Sequence, residues 1–205
     1  IPDEQLQNAF DANKAFMLMF YDGDYITPGP STYHHFWFRD AAYLLNALDK
    51  LGYHAETERI LNTYKKRQLA TGFYLSQRGE WDSNGEAIWA LAEHYRLTRD
   101  KKFIENHYRR ISRGARWINY KRKANLNLNK GYRGLMPPGL SAEHFGLNDY
   151  YYWDDFWSMA GLRDTICIAE DLDKKGKTFQ KFLYHLECSV EYSLEIVEER
   201  LGQPI

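Results

Sequence analysis

Polar and apolar positions along the chain recur with helical spacing. Apolar residues return every three or four positions over seven stretches, and no segment alternates like a pair of hairpin strands. The pattern predicts helices over 3–20, 40–51, 54–70, 84–97, 100–124, 155–172 and 178–201. Local signals support them: Pro2-Asp3 opens the first helix, Gly52 stops the second and Gly202 stops the last. Phe16, Met17, Met19 and Phe20 on the first helix are expected in the core.

The linkers carry more information than the helices. Those near 52–53, 98–99 and 172–177 are short, whereas 21–39, 71–83 and 125–153 are long and aromatic. Alternating lengths imply antiparallel αα-hairpins with all the long loops at one end. Loops of that length in a compact domain usually serve function. The three long loops also end alike, in FWFRDAAYLL, GEWDSNGEAIWAL and YYYWDDFWSMAGL. Each brings a tryptophan and then an aspartate to the start of a helix rich in small residues. This loose repeat points to a toroid or solenoid of hairpins. Asp40, Asp82, and Asp154 or Asp155 can each cap a helix N-terminus. Capping accounts for the acid but not for the tryptophan before it.

Composition narrows the classes. The chain has 205 residues, and its 44% hydrophobic content allows a core. Its 16 Tyr and 6 Trp supply flat faces with polar edges. A net charge of -1 argues against a general electrostatic hold on nucleic acid. The basic runs 65–67 and 121–123 read as solvated helix faces. Cys167 and Cys188 have no metal or redox spacing and are expected as buried small hydrophobes. There is no membrane-length apolar run and no signal peptide. The chain starts at Ile1 without a methionine, which suggests a processed or excised product. The compartment stays open, with the cytoplasm favoured. No HExxH, phosphate-cradling glycine loop or GxSxG elbow occurs, so neither metal nor cofactor is expected.

Aromatic walls and paired carboxyls suit carbohydrate. Sugar C–H faces stack on rings, and the adjacent donor and acceptor of Arg39-Asp40 fit neighbouring hydroxyls. Glycoside hydrolysis needs a protonated carboxyl and a second carboxylate. A carboxyl set among rings and beside another carboxylate has its pKa raised, and Asp154-Asp155 in YYYWDDFW has both influences. Glu143, in the loop GLMPPGLSAEHFG, is a further candidate acid or sugar ligand. Trp81 and Asp82 are candidates to line the cleft, with Tyr33, His34 and Trp37 shaping the pocket. His34, His35 and His144 are also the only histidines on the long-loop face suited to an epimerase, but their order does not resemble that family.

The order of these motifs resembles the (α/α)6-barrel glycoside hydrolases, especially the glucoamylase, trehalase and glucosidase group. FWFRD places Arg39 and Asp40 where that family binds the terminal sugar, and Trp153-Asp154-Asp155 stands where it carries its general acid. The resemblance implies hydrolysis of a terminal, α-glucosidic bond with inversion. Asp154 would be the acid and Asp155 its partner. Trp37, Arg39, Asp40, Trp81, Asp82, Tyr152 and Trp153 would surround an oligosaccharide or glycoside. Family barrels have twelve helices and take the base from their later half, against seven predicted here. The resemblance therefore implies a partial toroid over 1–205, completed by self-association or by further sequence. A non-catalytic carbohydrate-binding or scaffold protein of the same fold is the alternative.

Overall fold

The computed structural model of the chain describes residues 2–128, 130–143 and 146–205. Among these the regular structure is all α. The helices are α1 (Glu4–Met19), α2 (Phe38–Lys50), α3 (His54–Leu61), α4 (Tyr64–Arg67), α5 (Ser83–Thr98), α6 (Lys101–Arg122), α7 (Tyr152–Asp171) and α8 (Lys177–Leu201). Short 3-10 turns follow α6 at Lys123–Asn125 and Lys130–Tyr132. None of the helices is long and apolar enough to cross a membrane.

Caps explain several boundaries. Asp3 accepts the Leu6 N–H at 2.9 Å and starts α1, and Asp100 accepts the Phe103 N–H at 2.9 Å and starts α6. Left-handed Gly202 ends α8, as a glycine without a Cβ readily does. The predicted helix 54–70 is instead two pieces. Thr63 Oγ bonds Ile60 O, and Gln68 leaves the helical path to pair with Tyr74 in an isolated bridge. The Gln68 side chain then donates to Gly72 O and Arg110 O, which local periodicity cannot reveal.

Three hairpins form two layers. Helices α2, α5 and α7 lie side by side, with α5 in the middle. Over them lie α3, which packs on α2 and α5, α6, which packs on α5 and α7, and α8, which packs on α7. Helix α5 is consequently buried on most sides from Ser83 to Tyr95. Its contact with α7 depends on two glycines. A Cβ on Gly85 would collide with the Trp157 carbonyl, and one on Gly161 would stand 2.8 Å from Gly85 Cα. Phe36, Phe38, Tyr64 and Tyr74 fill the core under α2, with the Phe38 and Tyr64 rings 4.9 Å apart edge to face. Buried Asn84 accepts the Tyr74 N–H and donates to Gly72 O and Gly114 O, tying the second long loop to α5 and α6.

The long loops meet at one end. Trp37 Nε1–H donates to Gln77 Oε1 at 3.1 Å, and Leu140 N–H donates to Gly79 O at 2.9 Å.

Several expectations need correction. Helix α1 has no buried residue, and Phe16 and Met19 are exposed. Its apolar side meets the core only through Met17, Leu18 and the following Phe20. Periodicity finds an apolar face but not what covers it. Both cysteines are exposed, because each falls on the outward side of a helix. The basic run 121–123 is not uniformly solvated. Arg122 is buried, donating to Gly134 O, His185 O and Ser189 Oγ, and Lys121 sits 3.6 Å above the Trp81 ring.

Candidate functional site

The aspartates that close the three long loops do not cap. Helix α2 begins at Phe38, so Asp40 lies inside its first turn, and α7 begins at Tyr152, so Asp154 and Asp155 do the same. Asp82 occupies the N-cap position of α5 but makes no capping bond. Asp82 and Asp154 are instead buried beside Arg39.

Their centre is Asp82 with Arg39. Asp82 Oδ2 accepts Arg39 Nη2 at 2.9 Å, Arg39 Nε at 3.2 Å and Trp153 Nε1 at 2.8 Å. One oxygen thus joins α2, α5 and α7. The same guanidinium approaches Glu80 at 3.4 Å and Glu86 at 3.9 Å, and its Nη1 donates to Ala142 O at 3.0 Å. Burial alone would make Arg39 easier to deprotonate, but the neighbouring acids, Asp82 foremost, outweigh it and hold the charge more firmly.

Glu80, Asp82, Glu86 and Asp154 are all buried around this guanidinium. They cannot all be ionised there, because a buried carboxylate without a partner is very costly. Glu86 is 0% exposed and its oxygens meet no donor among the described residues. Burial first, then Asp82, pushes its pKa well above the ordinary carboxylate value, which favours the neutral form. Asp154 is 2% exposed. Burial, with Asp82 and Asp155 adding to it, raises its pKa to about 9 against the pull of Arg39. Its Oδ2 has no hydrogen-bond partner among the described residues. Asp155 points elsewhere: Oδ1 accepts the Met136 N–H at 2.8 Å. Burial lifts it to about 7, opposed by that bond and by Arg122. Asp154 is therefore a neutral acid at pH 7, the form a general acid requires.

The remaining sequence candidates divide. Asp40 is half-buried beside Arg39, its pKa raised by burial, and it feels the charge of Glu143 as well as that of Asp82. Glu143 is exposed, next to the Ala142 carbonyl that Arg39 holds. Trp153 is at the centre, as described. Trp37 stays at the loop end, its ring 5.0 Å from His35. Trp81 is turned to other partners: its ring packs with Phe73 and Trp117, and its Nε1–H donates to Pro138 O. Tyr152 reaches α8, where its hydroxyl bonds Ser193 Oγ at 2.7 Å. Adjacent residues at a helix start point different ways, so Trp81 and Asp82, or Tyr152 and Trp153, do not share a wall. His34 packs within its own loop, on Gly29 O and Asp22. His144 lies outside the described residues.

Sequence reading missed an aromatic band below the acids. Tyr43, Trp89, Trp157 and Trp153 form a chain of rings, with Trp157 5.9 Å from Tyr43, 5.6 Å from Trp89 and 5.9 Å from Trp153. Tyr43 is 52% exposed. The signal was available: Tyr43 follows Arg39 by four, Trp157 follows Trp153 by four and Trp89 follows Glu86 by three, which places each ring on the acid-bearing side of its helix. Glu80 gave no signal, since a loop carboxylate has no periodicity. Among the described residues no group of His, Cys, Asp and Glu is arranged to hold a metal ion.

The resulting surface has buried carboxyls, one fixed cation, and a strip of rings leading from them across three helices. It can stack a flat apolar face, hold hydroxyls and deliver a proton. No family model and no solved structure matches the chain. It is similar to an uncharacterized glycosyl hydrolase of Methanocaldococcus jannaschii, with 30% identity over 189 residues, covering 84% of this chain and 28% of that relative.

Proposed function

We propose that the protein is a glycoside hydrolase, and that the Arg39–Asp82–Asp154 cluster is its acid-bearing sugar site. The observation that carries the reading is Asp154, a buried carboxyl raised to about 9, unbonded at Oδ2, beside an ion pair and a strip of rings. A glycosidic oxygen leaves poorly as an alkoxide, so a neutral acid within reach lowers the barrier by protonating it. Arg39 and Asp82 fix the local charge and leave Asp40 and Glu143 to meet hydroxyls. Tyr43, Trp89, Trp153 and Trp157 supply stacking surface. Similarity to the archaeal glycosyl hydrolase supports the same reaction class.

The finer reading follows the (α/α)6 resemblance. The three hairpins form part of a closed ring, the bond cleaved is a terminal α-glucosidic one, and it is hydrolysed with inversion. The resemblance places the carboxylate that activates water in the later half of the ring. Asp155, bonded to the Met136 N–H and favoured by the nearby charge of Arg122, keeps a second carboxyl close to Asp154.

The test is product analysis with α- and β-linked gluco-oligosaccharides, comparing the protein with Asp154→Asn. We expect glucose release by the unaltered protein and its loss in the variant. Binding of oligosaccharide without any product would favour a carbohydrate-binding role. Equal turnover by both would remove Asp154 from the mechanism.

A further inference from the structure

We propose that the groove between α6 and α8 is a binding site for a small molecule that carries a phosphoryl group. The groove encloses about 660 Å³, within the range of small-ligand pockets. The cations Arg122, Lys123, Arg133 and Lys181 line it, and no carboxylate does among the described residues. The whole chain carries 27 Lys and Arg against 28 Asp and Glu, so a wall of cations alone departs from the even mixture elsewhere. Such a wall repels itself and is relieved by a bound anion. Arg122 is buried and fixed by its bonds to Gly134 O, His185 O and Ser189 Oγ, whereas Lys123, Arg133 and Lys181 are exposed at the rim.

Several cations around one hollow match a multiply charged anion better than a single carboxylate. Leu126, Phe182 and Tyr192 complete the walls with apolar surface, which accommodates the body of a ligand behind its charged group. The site is apart from the Arg39 cluster: its residues belong to α6, the loop that follows it and α8, and none is among the buried carboxyls or the ring strip.

The groove contains its own reporter. Cys188 lines it and is exposed, and exposed Cys167 on α7 lies among Asp164, Glu170 and Asp171. A given thiolate attacks anionic iodoacetate and neutral iodoacetamide alike, displacing iodide from each, so the rate ratio at one cysteine cancels its reactivity and reads local potential. We expect that ratio to be at least about threefold higher at Cys188 than at Cys167 at low ionic strength. Inorganic phosphate, glucose 6-phosphate and adenosine monophosphate are then added separately. Selective protection of Cys188 supports the site, and the compound effective at the lowest concentration identifies its source as free phosphate, a sugar phosphate or a nucleotide. The exposed double variant R133E/K181E should equalise the two ratios while Cys167 alkylation stays unchanged, which confirms that the fold is intact. Equal ratios in the unaltered protein, or protection of Cys188 by none of the three compounds, overturns the proposal.

Discussion

Trp153 donates its indole N–H to Oδ2 of Asp82 at 2.8 Å, joining α7 to α5 across 71 residues of sequence. That oxygen also receives both Arg39 bonds, so the contact closes a junction of three helices. Trp153→Phe keeps an aromatic face and deletes the donor. Loss of about 1–3 kcal/mol is expected, read as a lower urea midpoint at unchanged m-value. A midpoint equal to that of the unaltered protein would show that the bond contributes nothing.

The Arg39 guanidinium lies 2.9 Å from Asp82, 3.4 Å from Glu80 and 3.9 Å from Glu86. Arg39→Ala removes the cation bonded to buried Asp82 and should cost about 3–5 kcal/mol. Chemical denaturation of the variant beside the unaltered protein checks the magnitude, and an unchanged midpoint would contradict it.

The acid pair makes stability depend on pH with a definite sign. In the unfolded chain Asp154 releases its proton near 3.8, and in the folded protein near 9. Between these values the folded state binds more protons, so stability falls as pH rises. Asp155, raised to about 7, adds to the slope below pH 7. Asp154→Asn removes the larger contribution. The Tm of the variant minus that of the unaltered protein should grow between pH 5 and pH 9. A constant difference would mean that Asp154 is ionised in the folded protein.

Gly85 sets how closely α5 and α7 approach. A methyl group there must displace the Trp157 carbonyl, which is backbone and cannot rotate aside. Gly85→Ala should therefore destabilise by about 3 kcal/mol or more. A drop of this size in thermal unfolding, with the Asp82 to Trp153 bond disturbed in a structure of the variant, is the expected result.

The helices were legible because periodicity and caps are local, as Asp3, Asp100 and Gly202 illustrate. The meeting of Arg39, Asp82 and Trp153 was legible only in outline, from loops that end alike. Which way each ring faces was not. Trp81 and Asp82 are neighbours in the chain, yet one packs on Phe73 and Trp117 while the other reaches Arg39. Direction depends on the exact residue at which a helix starts, and Trp-Asp motifs leave that open by one or two positions. Glu86 suits the first turn of a helix electrostatically, which hid its burial against Asp82. The exposed side of α1 and the outward cysteines depend on tertiary neighbours that no local pattern encodes.

The central claim is that Asp154 delivers a proton to a departing sugar oxygen, and leaving-group dependence tests it most directly. Turnover by Asp154→Asn should be compared on an oligosaccharide and on a nitrophenyl glycoside of the same sugar. The nitrophenolate departs without protonation. The account predicts a loss of about 10²–10⁴-fold on the oligosaccharide and a much smaller loss on the nitrophenyl glycoside. Equal losses on both substrates, or no loss on either, would contradict it.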